Sequence, residues 1–65
     1  MRYELRIFKP GIVSFDKKGE PIGYPPDISL FEANGSTEAM TTAARLYKET
    51  GLKFQGHFNV SREEL

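Results

Sequence analysis

The chain has 65 residues, no cysteine, no tryptophan and one histidine, with nine basic and nine acidic side chains for a formal net charge of zero. A chain of this length makes one domain, 1–65, with little interior to spare. The composition excludes disulfides, thiolate zinc sites and multi-histidine metal sites, and it argues against a broad electrostatic grip on nucleic acid.

Residues 1–20 carry five basic and three acidic groups, and residues 21–50 carry two and four, so the charge asymmetry along the chain is mild. The apolar runs are too short to span a membrane. Met1-Arg2-Tyr3-Glu4 is not followed by an apolar region, so it does not read as a signal peptide. The expected setting is cytoplasmic.

In chain order, Tyr3 to Phe8 alternates. Tyr3, Leu5 and Ile7 point one way, while Arg2, Glu4, Arg6 and Phe8 point the other, as in a half-buried strand. Lys9-Pro10-Gly11 breaks it, and Ile12 to Phe15 reads as a second strand. Asp16-Lys17-Lys18-Gly19 has the residues of a type I turn with a glycine bulge. The returning strand, Glu20 to Tyr24, contains Pro21 and Gly23 and belongs at an edge. Tyr24-Pro25-Pro26-Asp27 forms a stiff connector. Ile28 to Ala33 is a further strand whose faces are ambiguous, because Leu30 and Phe31 are both apolar and adjacent.

Asn34-Gly35 introduces a helix over residues 37–50, with Ser36 or Thr37 as N-cap and Glu38 in the first turn. At 100° per residue, Ala39, Met40, Ala43, Ala44, Leu46 and Tyr47 share one arc of about 160°. Gly51 fits a left-handed cap. Leu52 to Val60 then alternates, with Leu52, Phe54, Gly56, Phe58 and Val60 on one face and Lys53, Gln55, His57 and Asn59 on the other. That pattern predicts a central strand, with Met40, Tyr47, Phe54 and Phe58 in the core. Ser61 and Glu64 have capping-box spacing for a short terminal helix.

The expected fold is α+β: a small, mostly antiparallel sheet of four or five strands in the order β-β-β-β-α-β, with one helix packed on one face. The strands flanking the helix are either neighbours or separated by another strand.

Chemistry is sparse. His57 sits on a polar strand face, and no nucleophile-elbow spacing surrounds Ser14, Ser29, Ser36 or Ser61. The carboxylates read as surface charges, and a chain this short leaves little room for a pocket of about 300 Å³ or more. Gly51 to His57 superficially echoes a phosphate loop but lacks its lysine and follows a helix instead of a strand. No catalysis, no cofactor and no metal are expected.

The polar sheet face is the one candidate surface. Arg2, Arg6, Lys53, Gln55, His57 and Asn59, with Glu4 and Phe8 beside them, would form it. Such a face is solvated by default. Its mixture suits a protein partner, and nucleic acid is the disfavoured alternative. The expected role is non-enzymatic protein binding, as in an accessory or inhibitory factor, for instance of a mobile element. A homodimer would supply core that the chain lacks.

Overall fold

The computed structural model describes residues 1–63. Strand β1 (Arg2–Phe8) leads into a hairpin of β2 (Ile12–Phe15) and β3 (Pro21–Gly23). Strand β4 (Asp27–Glu32), helix α1 (Ser36–Glu49), a 3₁₀ turn (Lys53–Gln55) and β5 (His57–Arg62) complete the chain. The fold is α+β, in the expected order of strands and helix.

Strands β4, β1 and β5 form one antiparallel sheet with β1 in the middle. The strands flanking the helix are therefore separated by β1. The nine-residue central strand expected from Leu52 to Val60 is replaced by the 3₁₀ turn and by β5 at an edge. Ser61 and Arg62 continue β5 instead of starting a helix, and Glu64 lies outside the described residues.

The alternation of β1 decides the two faces. Tyr3, Leu5 and Ile7 are buried, and Leu5 retains 1% exposure. Across the strands, Tyr3 faces Phe31, Leu5 faces Val60 and Ile7 faces Phe58. Helix α1 covers this face through Ala39 and Ala43, both fully buried. Alanine matters here because the absence of a longer side chain lets the helix axis approach the sheet. Tyr3 stacks on Phe31 at 5.9 Å, and Tyr47 meets Phe58 at 5.1 Å.

The covered arc is narrower than the apolar arc of the sequence. Leu46 and Tyr47 are half-buried, but Met40 is 52% exposed and Ala44 is also exposed. A helix over a three-stranded sheet meets it along one line, and residues at the flanks of the apolar arc stay in water.

The helix begins at Ser36, so neither Ser36 nor Thr37 is its cap. Gly35 holds that place with extended backbone and no side-chain cap. The Glu38 carboxylate instead accepts a hydrogen bond from the Asn34 amide at 3.0 Å. At the other end, Gly51 is left-handed (φ 76°) and its amide donates to the Lys48 carbonyl, the expected stop.

The β2–β3 hairpin is a separate two-stranded sheet. Its turn follows the sequence: Asp16 Oδ1 accepts from the amides of Lys18 (2.8 Å) and Glu20 (2.9 Å), and Gly19 has φ 81°. At its base, Lys9 pairs with Asp27 at 2.9 Å. The ring of Tyr24 lies over Gly11, where a Cβ would come within 2.9 Å of it. The hairpin makes the molecule long and thin, with extents of 44 × 29 × 13 Å. The radius of gyration is 13.9 Å, against about 11 Å for a compact chain of this length.

Gly56 carries a steric constraint. A Cβ there would stand 2.6 Å from the Phe8 carbonyl oxygen, a backbone atom held in the central strand. Replacing Gly56 with Ala should destabilise the fold by about 1–3 kcal/mol, seen as a lower denaturant midpoint. Gly23→Ala meets only ordinary contact, 3.6 Å from the Gly11 carbonyl oxygen, and should change stability by no more than about 0.5 kcal/mol.

Candidate functional site

The sheet face turned away from α1 is assembled by the register of three strands. On β1 it carries Arg2, Glu4, Arg6 and Phe8. Glu32, Leu30 and Ile28 stand opposite the first three on β4. Ser61, Asn59 and His57 stand opposite the last three on β5. Directly opposed residues share a face, so these side chains form one surface.

Four of the six expected residues, Arg2, Arg6, His57 and Asn59, are thus brought together. Arg6 lies directly across from Asn59. Lys53 and Gln55 are not. They sit in the 3₁₀ turn, outside the strand alternation that would have aligned them with His57. The same turn removes Phe54 from the core and leaves its ring fully exposed.

The cations of the face are neutralised. Arg6 is paired with Glu4, and Arg2 lies 3.7 Å from Glu32 and 3.6 Å from Glu63. The N-terminal ammonium adds a contact to Glu32 at 3.4 Å. Two guanidinium groups therefore meet three carboxylates. Exposed pairs like these contribute about 0–1 kcal/mol each to stability. Their larger effect is on the surface potential, which has no net positive field with which to hold a phosphate backbone.

His57 stacks flat on Phe8, with ring centroids 4.6 Å apart and planes 10° apart. No serine, cysteine or threonine hydroxyl hydrogen-bonds the imidazole among the described residues, so it lacks the partner of a nucleophilic pair. It widens the aromatic part of the face instead.

Sequence reasoning missed the apolar contribution of β4. Ile28 and Leu30 are 56% and 53% exposed and flank the Glu4–Arg6 pair. The signal is the parity of Leu30 against Phe31. Phe31 faces Tyr3 on the helix side, which puts Leu30 on the open side beside Glu4. The pairing of β4 with β1 is needed to see it.

A concavity lies on the helix side of the same sheet, beside the start of α1. A groove of about 440 Å³ is lined by Met1, Tyr3, Ser36, Met40, Val60 and Arg62, among others. It exceeds the room expected for so short a chain. The exposed Met40 forms part of its wall. Among the described residues its polar lining comes from Met1, Tyr3, Ser36 and Arg62. No helix among the described residues is long and apolar enough to cross a membrane.

The 3₁₀ turn is held by one strong contact. The Tyr47 hydroxyl donates to the Lys53 carbonyl at 2.6 Å. Lys53 itself has φ 57°, a left-handed conformation that costs a side-chain-bearing residue about 1–2 kcal/mol. Tyr47→Phe should therefore lower stability by about 1 kcal/mol. Lys53→Gly should leave it unchanged or raise it by up to about 1 kcal/mol, as relief of strain is offset by the freer unfolded chain. Chemical denaturation monitored by circular dichroism checks both.

No protein-family model matches this chain, and no curated protein or solved structure is significantly similar to it.

Proposed function

We propose that the chain is a non-enzymatic domain that binds another protein through the open face of its three-stranded sheet. The observation that supports this most is the pairing of exposed Ile28 and Leu30 with the neutralised Glu4–Arg6 pair on one surface. Apolar side chains can be covered by a protein, and charges already paired with each other leave no single ion unpartnered beneath it. The Phe8–His57 stack extends the same surface with a rigid aromatic platform. Arg2 and Asn59 supply polar groups around it, as in an interface rim. Lys53, Gln55 and Phe54 project from the neighbouring turn as secondary contacts.

Nucleic acid is the alternative partner. The carboxylates beside Arg2 and Arg6 weigh against it, because phosphate binding requires cations free to displace counterions.

The test compares the wild type with an Ile28→Lys/Leu30→Lys variant. A protein captured from the source cell should bind the variant at least about 10-fold more weakly, a loss expected from removing two apolar anchors. Arg45→Glu, on the exposed helix surface, should leave its affinity unchanged. Labelled oligonucleotides should show no salt-sensitive binding at about 0.15 M salt tighter than about 10⁻⁴ M, the range of weak non-specific contacts. Undiminished partner binding by the double variant would remove the sheet face from the function. Salt-dependent oligonucleotide binding abolished by Arg2→Glu/Arg6→Glu would replace the reading altogether.

A further inference from the structure

The hairpin arm is unexplained by the open sheet face. Its strands form their own two-stranded sheet, and an isolated hairpin is marginal in water. Yet its side chains are those of a core. Ile12, Val13, Phe15, Ile22 and Tyr24 are all exposed, Phe15 by 65%. The register has a bulge between Ile12 and Ser14, with Ile12 opposite Gly23 and Phe15 opposite Pro21. Gly23 and Pro21 are two residues apart on β3 and so share a face. The bulge thus brings Ile12 and Phe15 onto one face together, where strict alternation would have separated them. From Gly11 to Phe15 and from Pro21 to Pro26 the arm carries no charge. Its four charged residues, Asp16, Lys17, Lys18 and Glu20, sit at the tip and sum to zero.

We infer that the arm is a self-association device: two copies of this chain pack their β2–β3 hairpins together about a two-fold axis, with Ile12 and Phe15 of each copy at the centre. The area argues for a second copy. The accessible surface is 5233 Å², and a compact monomer of 7.4 kDa exposes about 4,200 Å² by the scaling of surface with mass. The surplus is on the order of 1,000 Å², and one side of a standard interface covers about 800 Å². The surplus is of the size that one side of such an interface covers. A partner that is itself uncharged along the contact is required, since the arm offers no ion to pair with one. A second arm meets that condition, and the zero net charge of the whole chain adds no long-range repulsion between copies. Packing face to face closes the assembly at two, as an isologous contact does. Pro21 lies on β3 and has no N–H to donate, which disfavours the alternative of open-ended strand pairing along that edge.

The surface involved is distinct from the open sheet face, so the two readings fail separately. Sedimentation equilibrium of the full chain, from about 1 μM to about 1 mM, spans the affinities open to an interface of this size. The mass should rise toward twice 7.4 kDa. Phe15→Lys and, independently, Ile12→Lys should weaken association by about 100-fold or more, with the far-ultraviolet circular dichroism of the folded chain retained. Both side chains are exposed, so the core does not depend on them. Leu30→Lys, on the open sheet face, should leave the dimer intact. In the wild type, amide exchange of Ile12–Phe15 should slow as concentration rises. A monomer throughout the range would overturn the inference. So would a dimer that survives both arm substitutions, one dissolved by Leu30→Lys instead, or association that continues past two copies.

Discussion

Everything in this fold hangs on the burial of β1 between a helix and two neighbouring strands. Tyr3, Leu5 and Ile7 supply most of the buried side-chain volume, and Ala39 and Ala43 supply the closeness that seals it. Both edges of β1 are hydrogen-bonded, so its backbone is satisfied while its odd residues are dry. With one strand carrying so much of the interior, the remaining elements are fixed relative to it. Strand β4 is set by Tyr3–Phe31 stacking, β5 by Val60 and Phe58, and the 3₁₀ turn by the Tyr47 hydroxyl on the Lys53 carbonyl.

The even residues of the same strand build the surface offered to a partner. Because side chains alternate with period two, burying Leu5 obliges Glu4 and Arg6 to face outward. The strands on either side then bring Ile28, Leu30, Asn59 and His57 into line with them. The hydrophobic requirement of one face thus arranges the polar and apolar composition of the other.

Much of this was legible in the sequence. The alternation of Tyr3-Leu5-Ile7, the Asp16-to-Gly19 turn and the Gly51 stop each rest on local rules that tertiary contacts did not override. The segment after Gly51 misled for a physical reason. Leu52 to Val60 alternates across its whole length, but Tyr47 captures the Lys53 carbonyl and Lys53 turns left-handed. Five residues, Leu52 to Gly56, leave the strand, and Lys53 and Gln55 leave the candidate face with them. A hydrogen bond from a side chain to a backbone carbonyl six residues on leaves no periodic trace. Met40 and Phe54 are apolar yet exposed, Met40 because a helix on a three-stranded sheet has only a narrow line of contact and Phe54 because the 3₁₀ turn carries it off the strand. The open-face positions of Ile28 and Leu30 required the β1–β4 register, which alternation within one strand does not supply.

The placement of β1 also bears on how the chain acquires its shape. The strand at the centre of the sheet is synthesised before both of its partners. Leu5 finds its neighbour Val60 only after the hairpin, β4 and the helix have been made. Closing so long a loop costs entropy before any burial compensates it, and folds dominated by such pairings fold slowly for their size. The helix and the Asp16 turn rest on local contacts, whereas the β1–β5 ladder joins residues far apart in the chain. A chain whose central strand must wait for a distant partner is correspondingly open to aggregation while it folds.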